Sequence, residues 1–251
     1  MEGEVIIMNA DIVKQRSYFV VKDNALIQKT RYALSVQQQK LLLFMVSKIK
    51  PMDEPYTEYT ISIGDYCRAC GVDHDNGGNY AYMKASLKSI ADKSIWMKMG
   101  NGKEILLRWL DRVVIDEHSG TVQFSFHRDM HPYLLNLHSR YTQDSLMNVL
   151  PMRSAYSIRL YELLRSYVNM ETTITMMLDE FKRRIGGEVY ERFSNLKQKV
   201  IDPAVAEINM YSDIEVEYKA AKVAKSRSYN QISFYITSKA EAGIPVYMEN
   251  T

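Results

Sequence analysis

The sequence predicts an α+β protein made of two tandem copies of one helix, strand, helix, helix, hairpin unit. Apolar residues switch between helical and strand spacing in the same order in both halves. Three pairs of segments correspond: QQQKLLLFMVSKI with YSIRLYELLRSYV, YTISIGDYCRACG with TITMMLDEFKRRIGG, and ASLKSIADKSI with NLKQKVIDPAVAEI. Each copy spans about a hundred residues, too long a period for a solenoid and suited to two ordinary domains.

Residues 1–30 form an irregular lead-in in which VIIM and SYFVV read as short strands or docking segments. The first domain covers 31–135, a linker 136–150, the second domain 151–240 and a tail 241–251. Ser35 caps a helix over 36–49 that turns Leu41, Leu42, Met45, Val46 and Ile49 inward, and Pro51 ends it. Residues 59–63 alternate as a strand; GDYCRACG is a short helix ended by Gly71, and DHDNGGN is a turn. The next helix, 79–93, points Met83, Leu87, Ile90 and Ala91 at the core, carries Lys84 and Lys88 on its flank, and sets Tyr82, Ser86, Ser89 and Lys93 opposite. Strands follow, with turns at Gly100-Asn101-Gly102 and His118-Ser119-Gly120. Residues 131–150 read as a connector bounded by Pro132 and Pro151.

In the second copy Ser154 caps the helix 155–168, TTITMML is a strand, and Asp179 caps a short helix closed by Gly186-Gly187. A longer helix occupies 191–209, and IEVEY and QISFYI flank the loop KAAKVAKSRSYN. Two helices joined by a turn and followed by a hairpin make a winged helix, a DNA-binding module.

Net charge is only +2, so any nucleic-acid surface must be a local patch. The 46% hydrophobic and 25% charged composition is that of a globular protein with a sizeable core. No apolar run reaches the ~18 residues of a membrane span, and the opening MEGEVIIMNADIVKQ lacks a secretory pattern, so the cytoplasm is the expected location. Cys67 and Cys70 form a lone C-x-x-C. A structural zinc site takes four ligands, and His74 adds only one, so both cysteines are read as core residues, with no metal or cofactor.

The 191–209 segment carries the DNA-reading pattern. Phe193, Leu196, Val200, Ala204 and Ile208 share a core face, while Arg192, Asn195, Gln198, Lys199, Asp202 and Asn209 fall on the opposite arc. Lys and Arg suit guanine, Asn and Gln suit adenine, and an acid accepts from cytosine N4. Lys197 sits at the core edge and reaches for phosphate. Lys182, Arg183 and Arg184 on the preceding helix, and Lys219, Lys222, Lys225 and Arg227 in the wing, add backbone contacts that position the protein. A charged arc is ordinarily only a solvated face; here it coincides with basic residues at both other places a winged helix uses. In the first copy Lys84, Lys88 and Lys93 are DNA candidates, whereas Tyr80, Tyr82 and an apolar hairpin equally suit a protein interface. Pro203 inside the long helix costs roughly 3 kcal/mol unless the helix kinks or restarts there with Asp202 as its cap.

The chain resembles the replication initiators of iteron-containing plasmids over residues 24–237. The resemblance rests on NALIQKTRYALSVQQQKLLLFMVSKI, SLKSIADKSI, SRYTQDSLMNVLPMRSAYSIRLYELLRSY and above all LKQKVIDPAVAEIN followed by a strand and a basic turn. It implies two winged-helix domains that bind double-stranded origin repeats as monomers, aid duplex opening and recruit host replication proteins such as the replicative helicase. It also implies homodimers that repress their own gene, paired largely through the first domain. The family's basic cluster falls on Lys197, Gln198 and Lys199, with an upstream basic position at Arg192; the middle position, often Arg in the family, is Gln198 here.

No phosphate-binding Gly-Lys loop is present, so ATP hydrolysis is not expected. A nicking initiator would attack DNA through one of the 18 tyrosines beside a metal-binding His pair, but His74, His118, His127, His131 and His138 are scattered. No catalytic residue is assigned. A plain winged-helix repressor remains the second reading.

Overall fold

The structure, a computed structural model, describes residues 19–31, 34–50, 52–70, 78–168 and 170–239. The VIIM segment, Pro51, Gly71 with the turn that includes His74, and the 241–251 tail lie outside the described residues.

Each half is built on a three-stranded sheet of the same topology. In the second, β9 (Thr173–Met177) leads through α8 (Leu178–Ile185) and the long helical segment to the hairpin β10 (Ile214–Ala221) and β11 (Gln231–Ser238), and the strand order is β10-β11-β9. In the first, β3 (Tyr59–Ser62) leads through α3 (Ile63–Cys70) and α4 (Gly78–Asp92) to β6 (Leu110–Asp116) and β7 (Thr121–Phe126), in the order β3-β7-β6. Both halves are winged helices of the same plan. The first also inserts a hairpin, β4 (Ser94–Lys98) and β5 (Glu104–Arg108), which pairs with the short β2 (Thr30–Arg31). The wing-like hairpin of the first half is therefore the second one in sequence.

Alternation sets each sheet. Ile174 and Met176, Ile214 and Val216, and Ile232, Phe234 and Ile236 face inward and are buried. In α4, Met83, Leu87 and Ile90 are buried as their spacing predicts, but Ser86 is buried beside them rather than opposite. In α3 Cys67 is buried and Cys70 half-buried; burial pushes the Cys67 thiol up.

Two paired strands lie within the expected lead-in and linker. Phe19–Asp23 (β1) pairs antiparallel with Tyr141–Ser145 (β8), followed by α1 (Asn24–Lys29) and α6 (Leu146–Val149) respectively. Their inward positions include Lys22, Thr142 and Asp144, all buried, and polar residues at inward positions hide a strand from a hydropathy reading.

Two equivalent helices pack at the centre: α2 (Val36–Val46), capped by Ser35 in a capping box with Gln38, and α7 (Ala155–Arg165), capped by Ser154. Between them they bury Leu41, Leu42, Phe44, Met45, Ile158, Leu160, Tyr161 and Leu164 within one continuous apolar core. Polar side chains of α7 tie it to the elements around it. Arg159 donates to the carbonyls of Ile27, Thr30 and Arg184, Glu162 pairs with Lys22, and Arg165 pairs with Asp213 at 3.1 Å. The Glu207 carboxylate accepts from the backbone N–H groups of Arg153 and Ser154 at 3.0–3.2 Å, fastening the long helix to the start of α7.

Candidate nucleic-acid interface

The long helical segment of the second half has three parts. Phe193–Leu196 is α-helical (α9), Lys197–Ile201 forms a π turn, and Asp202–Tyr211 is α-helical again (α10). The expectation of a kink, or of a restart capped by Asp202, is replaced by this wide turn. Asp202 has helical φ and ψ of −59° and −48°, and its N–H reaches the Lys197 carbonyl five residues back. In an α-helical register the Pro203 ring would clash with the carbonyl one turn earlier; the wider turn moves it aside. Leu196, Val200, Ile201, Ala204 and Ile208 are buried, so the π turn sends both Val200 and Ile201 inward.

The opposite arc is open. Arg192, Asn195, Lys197, Gln198 and Lys199 are all exposed. Asn209 is not part of this arc. Its side chain donates to the Val216 carbonyl at 3.0 Å and accepts from the Val216 N–H at 2.7 Å, closing part of the outer edge of β10.

Asp202 is held from two sides. Lys197 Nζ lies 2.7 Å from Oδ2 and 2.9 Å from Oδ1, and the Tyr218 hydroxyl of β10 donates to Oδ1 at 2.5 Å. Lys197 Nζ also sits 5.8 Å from the centre of the Tyr218 ring. Partial burial opposes ionisation of Asp202, but the bonds from Lys197 and Tyr218 outweigh it and hold the carboxyl below its ordinary value. The same contacts raise Lys197, through Asp202 first and Tyr218 second. Lys197, expected to reach phosphate, is thus already paired within the chain.

Of the basic residues ahead of this helix, Arg183 is half-exposed, and Lys182 donates to the Glu191 carbonyl at 3.3 Å. Arg184 departs from the expectation of a DNA contact. It turns inward, bonded to the Tyr167 hydroxyl at 2.9 Å and to Glu180 at 2.5 Å, because the i, i+4 acid on its own helix captures the guanidinium.

The wing is a shaped loop. Asn230 brackets Val223, accepting from its N–H at 2.9 Å and donating to its carbonyl at 3.2 Å, and Ala224 and Lys225 both adopt positive φ, 52° and 57°. Lys222, Lys225 and Arg227 are exposed. Lys222 lies 5.4 Å from the centre of the Tyr229 ring, which packs on Phe193 with centroids 4.7 Å apart. The wing and the start of the helix therefore meet through aromatics.

In the first half Lys84 and Lys88 are exposed on α4. Lys88 pairs with Asp92 in solvent, an exposed i, i+4 pair weak enough for a partner to displace. Lys93 turns to Gln38 at 3.0 Å, joining the start of α2 instead of standing clear of the core.

Tyr218 and Tyr229 were absent from the residues singled out by sequence. Tyr218 shares strand parity with the inward-facing Ile214 and Val216, which places it against the helix; that signal was available.

Family models place the arrangement among known proteins. A model described as the initiator replication protein WH1 domain matches residues 19–165, and one described as the initiator Rep protein WH2 domain matches 177–236. The chain belongs to the initiator Rep protein family. As an initiator Rep protein it is similar to a replication initiation protein of Escherichia coli, 26% identical over 198 residues covering 74% of this chain and 61% of that one. The chain thus spans less than two thirds of that curated relative. Among solved structures it is similar to the Pi initiator protein in complex with iteron DNA, with a TM-score of 0.70 and 18% identity over 89% of this chain and 98% of that one; this Rep chain shares that fold. Among the described residues no helix is long and apolar enough to cross a membrane.

Proposed function

We propose that this Rep protein is a sequence-specific binder of double-stranded DNA that initiates plasmid replication at origin repeats. The observation that carries the reading is the open arc Arg192, Asn195, Gln198 and Lys199, set beside a wing with Lys222, Lys225 and Arg227 exposed. Mixed amide and cationic groups read bases, and the wing cations hold backbone. The likeness to a Pi initiator bound to iteron DNA supports repeats of that kind as the target. Arg183 and Lys182 extend the backbone contact, and Lys84 does so from the first half.

The protein acts without a catalytic centre or cofactor, in the bacterial cytoplasm. It binds repeats as a monomer, aids opening of the duplex and recruits host replication proteins such as the replicative helicase. A homodimer represses its own gene. The exposed cross-strand pair Trp96 and Leu106 on the inserted hairpin supports pairing through the first half.

The test is footprinting on the DNA around the gene, followed by probing for unpaired bases. Protection of direct repeats with local melting is expected. Protection of a single operator without melting would favour the repressor reading, and metal-dependent strand cleavage would overturn the non-enzymatic one.

A further inference from the structure

The reading helix is fastened to the wing hairpin by Phe193 against Tyr229 at its start, by Asp202 against Tyr218 at the π turn, and by Asn209 against Val216 further along. The second fastening has a chemistry that packing alone does not require. Tyr218 is half-buried and its ring packs near Phe234, with centroids 6.2 Å apart, yet its hydroxyl is spent on a carboxylate at the edge of the reading arc. That carboxylate in turn takes both acceptor contacts to Lys197.

We propose that Tyr218 is a positioning residue for base reading: through Asp202 it holds Lys197 and the wide turn so that Gln198 and Lys199 present to the groove in one orientation. The proposal rests on the DNA-reading assignment above. A π turn is a rare interruption of an α-helix, found often at functional sites, and here the residue that caps it, Asp202, is the one tied to the neighbouring strand. Asp202 provides the tether point, but a bare carboxylate there would repel phosphate. The Lys197 ammonium cancels it, leaving Gln198 and Lys199 as the net readers of the turn. Because Tyr218 belongs to β10, the register of the wing on the DNA backbone is transmitted to the register of Lys199 on a base. Tyr218 touches no base itself.

The experiment uses the full chain and Tyr218→Phe, which keeps the ring and removes the hydroxyl. Each protein selects duplexes from a random pool. Affinities are then measured for the wild-type selection and for an unrelated duplex of equal length, over a range of salt. The expected result is a loss of roughly three- to tenfold on the selected duplex, with relaxed preference at a few adjacent base pairs. Affinity for the unrelated duplex, the salt slope and the melting temperature stay unchanged. In NMR titration the Lys197 ammonium shifts toward its ordinary pKa. Asp202→Asn gives the same relaxation, and the double variant is no worse than either single one. Equal losses on both duplexes, or an unchanged selection, would overturn the positioning role. A wild-type chain that selects no sequence would overturn the DNA-reading assignment itself, a result that no behaviour of the variant can imitate.

Discussion

Lys22 and Glu162, 140 positions apart in the chain, form a buried ion pair. Lys22 is on β1 and Glu162 on α7, so the pair binds the beginning of the described chain to the helix at its centre. Removing one partner takes the nearest opposite charge from a buried cluster that also holds Arg159, 3.9 Å from Glu162, and Asp144 beside Lys22. Glu162→Gln is expected to lower stability to unfolding by about 3–5 kcal/mol. Replacing both, as Lys22→Met with Glu162→Leu, is expected to cost much less. Urea unfolding of the three variants checks this, and equal losses from the single and double changes would contradict it.

Asp144 lies beside that pair on β8, 3.7 Å from Arg165 and 3.5 Å from the Tyr161 hydroxyl. Burial pushes its carboxyl up to about 8; Lys22 and Arg165 pull it down, and Glu162 and Asp213 add to the rise. The folded pKa thus exceeds the unfolded one near 4, so the native state holds the extra proton between them. The resulting stabilisation is full below about pH 4 and is lost as pH rises through about 8. Asp144→Asn should remove this decline, giving an unfolding midpoint that changes less between about pH 6 and pH 9 than that of the wild type.

Much of this was legible in the sequence, and the parts that were not share a cause. Ser35 and Ser154, as caps, and Gly186, with φ of +78°, end or start helices where local chemistry demands it. The duplicated order of elements gave the two winged helices. Strand β8 does not show in the hydropathy pattern because Thr142 and Asp144 occupy inward positions, and only a partner such as Lys22 or Arg165, distant in sequence, makes that tolerable. The reading arc followed from helical spacing, but the fate of its polar groups did not. Arg184, Lys197 and Asn209 are each claimed by a neighbour inside the chain, and spacing along one helix does not reveal a partner on another element.

Asn209 is therefore expected to matter for stability and not for base choice. Its amide satisfies both backbone groups of Val216 on the outer edge of β10. Asn209→Ala leaves that peptide without its side-chain partner and should cost about 1–3 kcal/mol. The selected DNA sequence should stay the same. A changed base preference at unchanged stability would return Asn209 to the reading arc.

Trp96 and Leu106 face each other across β4 and β5, both exposed, and β5 is an edge of its sheet. An apolar pair beside an open strand edge favours pairing with a second copy. Trp96→Lys should shift the protein toward monomer in sedimentation while preserving affinity for a single repeat. A dimer of undiminished strength would place the contact elsewhere.

On the proposed function, Lys199 and Lys222 make different kinds of DNA contact. Lys199 is exposed on the π turn, next to Gln198, and has no side-chain bond among the described residues. A cation in that place contributes through one base edge, so Lys199→Ala should cost about 1–3 kcal/mol on the selected repeat and far less on unrelated DNA. Lys222 sits over Tyr229 in the wing, and the proposed reading assigns it to the DNA backbone. Lys222→Ala should weaken both duplexes alike and reduce the salt slope by about one. Binding measured on both duplexes across a salt series decides the matter. Equal loss of specificity in the two variants would show that helix and wing do not divide the work in this way.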